Sequence, residues 1–88
     1  MEGLDLSRGN LTGLDLTGRS LAFSKLEGAD LSRSRLDKAD LLQADVRKAV
    51  LTETSFRSAN CYQAAFIEAH GDDADFSGAN LEGANFQR

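Results

Sequence analysis

The chain has no proline or tryptophan, a single cysteine and a single histidine. Each scarcity excludes something. A chain without proline loses no backbone donor, which suits an uninterrupted hydrogen-bond ladder. One cysteine forbids an internal disulfide, and no Cys/His set has zinc-ligand spacing, so neither a metal nor a cofactor is expected. No apolar run is long enough for a signal peptide or a membrane span, which makes a cytoplasmic location with no membrane partner the expectation.

What is present is a period. The 88 residues form one small domain, 1–88, in which every fifth residue from Met1 is apolar: Leu6, Leu11 and onward through Leu51, Phe56, Cys61, Phe66, Phe76, Leu81 and Phe86, with only Gly71 breaking the series. Two residues before these centres the chain places Ala in ten of seventeen cases, and one residue before them Asp or Asn dominates. Five residues rotate an α-helix by about 140°, scattering the centres around its cylinder. On a flat strand an odd period sends successive centres to opposite faces. The pattern works only if the chain turns a corner in every pentad, with Ala and the centre both facing inward. Gly stands two residues after the centre six times, where a tight turn needs a positive φ.

Charge supplies the size of the coil. Stacked strands lie about 4.8 Å apart, so like charges one coil apart repel. At a separation of 20, eight charged pairs are of opposite sign (Asp5–Lys25, Lys25–Asp45, Asp15–Arg35, Glu27–Arg47, Arg33–Glu53, Asp37–Arg57, Lys48–Glu68 and Glu68–Arg88) and one, Glu53–Asp73, is alike. At a separation of 15 the tally is four against four. Four pentads therefore make a coil, and eighteen pentads make about four and a half coils in a rod roughly 20 Å long.

The cleanest copies, Ala29-Asp30-Leu31, Ala39-Asp40-Leu41 and Ala79-Asn80-Leu81, resemble the pentapeptide-repeat family. The resemblance covers the whole chain in unbroken register and implies an all-β right-handed quadrilateral β-helix with Leu, Phe and Ala inside. The departures sit mainly in the first coil, where Leu4, Gly9, Leu14 and Arg19 occupy the small inward slot. Leu4 and Leu14 are read as plugs for the N-terminal end, and Arg19 as a side chain that snorkels out. Phe56 and Phe76 fall on one face, Phe66 and Phe86 on the opposite one; Gly71 is read as making room between these ladders.

Cys61, at a centre, reads as a buried thiol rather than a nucleophile. His70, Asp72, Asp73 and Asp75 form an outward acidic turn, read as solvated surface rather than a metal site. The informative surface is apolar: Ala22, Leu42 and Tyr62 stand one coil apart, with Phe23 beside the first and Ile67 and Ala65 on the next face. Phe23, Leu42, Tyr62 and Ile67 are the expected partner-binding residues. A solenoid also exposes its ends, so Phe76, Leu81 and Phe86 are expected either to mediate a homodimer or to continue into a longer protein.

No nucleophile, base and oxyanion donor come together in the pattern, so no enzyme is expected. The leading expectation is a protein-interaction module or scaffold. The resemblance implies a second reading, a DNA mimic that binds DNA gyrase and protects against quinolones. A third is a spacer or a truncated or designed solenoid. The net charge of −4 argues against direct nucleic-acid binding. It is uneven: residues 1–60 balance nine acidic against nine basic groups, whereas Glu68, Asp72, Asp73, Asp75 and Glu82 face no cation between 61 and 87.

Overall fold

Nearly every pentad closes a β-turn, the one at Gly71 excepted. At the cleanest copy the Ser34 N–H donates to the Leu31 carbonyl at 3.0 Å, and Arg33 between them has φ +58°. Only the second central residue of the turn is left-handed, which defines type II. The computed structural model describes residues 3–87, and it repeats this corner along the chain. Eleven non-glycine residues hold a positive φ in it, from Arg8 to Asp73. Glycine was the sequence signal for the turn, yet most corners are built without it. The ladder fixes the backbone and the side chain accepts the strain.

The ladder is regular. Asp30 N–H donates to Gly9 C=O at 3.0 Å in the preceding coil, while Leu31 and Arg33 N–H donate to Val50 and Thr52 C=O, both at 2.8 Å, in the following one. Parallel bridges join residues 20 apart without interruption from Asp5↔Lys25 to Ala65↔Asn85. The 20-residue register read from charge is thus the register of the backbone, and the fold is a β-solenoid. Its strands are shorter than expected. Among the described residues each face carries an isolated bridge rather than an extended strand, because a turn intervenes before a second residue can pair.

The charge columns align, but few of them touch. Of the pairs within the described residues, Glu27–Arg47 closes to 3.4 Å. Arg57 instead reaches Asp75 at 3.6 Å, and its N–H donates to Asp37 Oδ1 at 3.1 Å. Lys25 acts on Asp5 and Asp45, and Arg35 on Asp15, through space rather than by contact. The Glu68–Arg88 pair and the Met1 centre lie outside the described residues. The carboxylates are held chiefly by their own chain.

That local bond explains the Asp/Asn preference. In an inner pentad such as 30–34, four N–H groups are used by the turn and the ladder, and the one following the centre is left over. Asp30 Oδ1 accepts it from Ser32 at 3.0 Å; Asn10 does the same for Thr12, Asp45 for Arg47, Asn60 for Tyr62, Asp75 for Ser77 and Asn85 for Gln87. Where Asp or Asn stands before the centre, these Asx turns pair the N–H that the turn and ladder leave over.

Inside, residues from Leu21 to Phe66 at the centre and small positions form one fully buried column set. Ser34 and Thr54, polar residues in inward slots, both donate to the Leu31 carbonyl at 2.7 Å and so are satisfied. Phe56 stacks on Phe76 with centroids 4.6 Å apart, and Phe66 on Phe86 at 4.8 Å. The two ladders meet edge to face at 5.5 to 5.8 Å across the bore. Gly71 has a different cause from the one expected. It is exposed, with φ +128°, and a Cβ there would lie 2.5 Å from the Thr52 nitrogen and 2.9 Å from the Leu51 carbonyl carbon. Backbone proximity to the preceding coil, not the volume of the Phe ladders, requires glycine. At the N-terminal end Leu4 is half-buried but Leu14 stays 42% exposed, so Leu14 is no plug, while Arg19 does reach solvent.

Three outcomes follow from this backbone. Lys38→Gly relieves a left-handed residue at φ +61° on an exposed corner and should stabilise the fold by about 0.5–1 kcal/mol, read by thermal denaturation. Gly71→Ala should destabilise it by about 1–3 kcal/mol; an unchanged melting temperature would restore the volume explanation. The third outcome concerns acid. Donation from Ser32 holds Asp30 below the usual carboxylate range, as Ser7, Thr17, Arg47 and Ser77 do for Asp5, Asp15, Asp45 and Asp75. A carboxyl depressed in the fold stabilises it above the unfolded pKa and loses that contribution as pH falls through the folded one. The melting temperature should therefore hold from neutral pH to about 5 and fall below about 4. Asp30→Asn, which keeps the acceptor, should leave the neutral value in place and shallow the acid decline.

Candidate functional site

The corner between the face carrying Asp40, Asn60 and Asn80 and the face carrying Asp45 and Ala65 is the least polar part of the exterior. Its residues are stacked by the ladder itself: Phe23 N–H donates to Leu42 C=O at 2.8 Å, Gln43 to Tyr62 at 2.9 Å and Gln63 to Glu82 at 2.9 Å. Leu42 and Tyr62 thus stand in one column, and Phe23, Gln43, Gln63 and Gly83 in the next. Leu42 and Tyr62 are fixed further by N–H donation to Asp40 Oδ1 and Asn60 Oδ1, at 3.1 and 3.2 Å.

Exposure grades down this corner. Phe23 is 51% exposed, Leu42 and Tyr62 are half-buried, and Ala22, expected to face outward with them, is buried. Ile67 is half-buried and occupies the equivalent slot of the following corner, with Ala65 between it and Tyr62. Phe23, Leu42 and Tyr62 therefore make the continuous strip, and Ile67 flanks it.

Two amide ladders border the strip. Gln43 Nε2 donates to Gln63 Oε1 at 2.7 Å, and Asn60 Nδ2 to Asp40 Oδ1 at 3.2 Å, with Asn80 Nδ2 continuing to Asn60 Oδ1 at 3.5 Å. Sequence reasoning passed over the glutamines; the signal was there, since the same amide recurs at one coil's separation. Phe23 stands in the slot, two residues after a centre, that needs a positive φ. A phenyl side chain at φ +62° is rare, and here it is combined with solvent exposure.

The remaining expected features are chemically quiet. Cys61 is buried, and burial pushes its thiol up to about 12, so it is not a nucleophile at physiological pH. His70 is exposed, its Nδ1 3.3 Å from the Glu68 carbonyl oxygen, at the edge of an open hollow of about 530 Å³ lined by Glu68, Ala69, His70, Gly71 and Asp72. Among the described residues no three His, Cys, Asp or Glu side chains converge as metal ligands, and no helix is long and apolar enough to cross a membrane. Toward the C-terminal end Phe76 and Leu81 are half-buried against the core, while Phe86 is 48% exposed at the end of its ladder.

The same architecture occurs in solved structures. HetL, a pentapeptide repeat protein from Nostoc sp. strain PCC 7120 involved in heterocyst differentiation regulation, superposes with a TM-score of 0.79 at 27% identity over 99% of this chain and 41% of its own. A pentapeptide repeat protein of the Arabidopsis thaliana thylakoid lumen gives 0.63 at 28% identity, over 94% of this chain and 63% of its own. Another from Nostoc PCC 7120 gives 0.61 at 28%, over 96% and 65%. The chain thus spans less than two thirds of the length of each. No curated protein matches it in sequence. The family pattern described as pentapeptide repeats matches in eight copies over residues 20–52 and 49–88, and the chain belongs to the pentapeptide-repeat family.

Proposed function

We propose that the chain is a non-enzymatic interaction module of the cytoplasm, a right-handed quadrilateral rod of about four and a half coils that holds a protein partner against its Phe23–Leu42–Tyr62 corner, with Ile67 at the margin. The observation that carries this is the exposed phenyl ring of Phe23 beside the stacked Leu42 and Tyr62 on one corner. Aromatic and aliphatic side chains held rigid by backbone on one strip are also the composition of interface hot spots. The family relationship is in keeping with the reading, since HetL, of which this chain spans 41%, is involved in heterocyst differentiation regulation.

Mimicry of DNA against gyrase has one observation in its favour, the exposed acidic groups Glu68, Asp72, Asp73 and Glu82. The middle coils oppose it. Arg33, Arg35, Lys38, Arg47, Lys48 and Arg57 are all exposed there and interrupt any continuous negative stripe of the kind a duplex presents.

The test compares partner capture from a host extract by the wild-type chain, by Leu42→Ser/Tyr62→Ser, and by a control, Arg33→Ser/Glu53→Ser, on another corner. Serine already fills the Leu42 slot elsewhere, at Ser7, Ser32 and Ser77, so the fold should persist. Capture should fall at least tenfold in the first variant and hold in the control; equal capture by all three would retire the corner. Gyrase supercoiling should be unaffected by the wild-type chain.

A further inference from the structure

The four corners of the rod differ in charge, and the difference bears on what the apolar strip receives. One side away from the strip, across the face of Asp40 and Asn60, lies the corner built by Asp37, Lys38, Arg57 and Ser58. Lys38 and Arg57 are exposed on it, and Arg35 and Arg19, both exposed, flank it. The carboxylates near these cations are all aspartates, each bonded to the backbone. Asp37 is half-buried, and its Oδ1 accepts from Ser55 Oγ and from Arg57 N–H. Asp15, Asp40 and Asp75 accept the N–H of Thr17, Leu42 and Ser77. Short acids held at the backbone thus form an inner layer, and the long cations reach past them. The Arg57 and Arg35 side chains stay 65% and 64% exposed, with their carboxylates 3.6 and 3.9 Å away. Among the described residues Lys38 closes no ion pair. No other corner is arranged so. Glutamate stands beside the cations at Arg33 and Glu53 and at Lys48 and Glu68, and the strip itself ends at Glu82; there a long acid reaches as far as the cations do.

We infer that the partner segment received by the Phe23–Leu42–Tyr62 corner is acidic. It lies across the face between the two corners, its apolar side chains on the strip and its carboxylates over Lys38 and Arg57. The inference rests on the strip being a protein-binding surface and names the chemistry of what binds there. The intervening face permits that seating. It carries Ser20, Asn60 and Asn80, and its one acid, Asp40, has its Oδ1 occupied by Leu42 N–H and Asn60 Nδ2 at 3.1 and 3.2 Å. From Lys38 to Leu42 the chain advances by roughly 10–13 Å of extended backbone. That is about the width of one α-helix with its side chains, so a single segment laid along the rod touches both corners. Carboxylates meeting guanidinium and ammonium groups form charge-assisted bonds and fix the orientation. Glu82, at the end of the strip, repels the same segment and confines it to the coils before it. A nucleic acid fits poorly, because its unbroken row of phosphates would run onto Asp75 and Glu82.

The test uses three labelled peptides of one length, with the same Phe and Leu positions and with Glu, Gln or Lys at all the others. Fluorescence anisotropy with the full chain should rank Glu over Gln over Lys. The Glu peptide should bind about tenfold tighter than the Lys peptide, and raising salt toward about 1 M should close that gap. Lys38→Ser/Arg57→Ser should erase the preference for Glu and leave the Gln peptide within about twofold of its original affinity. Serine already fills both slots, at Ser58 and Ser77, so the fold should hold, which circular dichroism checks. Arg47→Ser/Lys48→Ser removes the same charge from another corner and should leave the preference in place. Leu42→Ser/Tyr62→Ser should weaken all three peptides alike. An equal loss of preference in the Arg47/Lys48 variant, no binding by any peptide, or tighter binding of a DNA duplex than of the Glu peptide would each overturn the inference. If the Glu peptide is not preferred but Leu42→Ser/Tyr62→Ser still weakens the Gln peptide, the interaction corner stands and only the acidity of its partner fails. If that variant binds all three as the wild type does, the interaction corner fails, and this inference with it.

Discussion

The whole molecule depends on one constraint: a backbone that turns a corner every five residues must still bond every N–H. In the inner coils the ladder accommodates three of the five, the type II turn a fourth, and an Asp or Asn side chain, where one precedes the centre, the last. Once that pattern is set, everything else has its place. The residue before the turn and the one two before it must face inward, so they are large and small apolar groups. The second turn residue must be left-handed whatever its identity. The exterior is what remains: one side chain per face and two per corner, repeated at each coil.

The same constraint explains which energies matter. The opposite-charge columns that reveal the coil length form few contacts, because long side chains on an exposed ladder gain little by closing. Their value lies in the absence of repulsion. Stability comes instead from the interlocked interior, in which four phenyl rings stack along two faces and meet edge to face between them, and from Asx bonds whose donors would otherwise go unsatisfied.

The period, the inward positions, the register and the two Phe ladders were legible in the sequence because each repeats. What was not legible is what occurs once or depends on backbone geometry. Gly71 could be placed but not explained: its cause is the approach of Leu51 and Thr52, which no single-chain pattern reveals. Ala22 belongs by position to the outward column and is nonetheless buried. Phe23 was visible as an apolar outward residue in the slot that needs a positive φ, but the degree to which its ring stays exposed was not. The Asp/Asn preference was counted without its reason, because the period shows where the residue recurs but not which N–H its side chain accepts.

The ladder also makes the rod a particular kind of mechanical object. Its backbone bonds run along the axis, so tension between the ends loads a full coil's worth of them together, whereas a pull on one terminus loads only the pentad next to it. Such a rod is stiff against stretching and weak against peeling. A partner or a neighbouring copy gripping its side across several coils would brace it against that second failure, as a splint does.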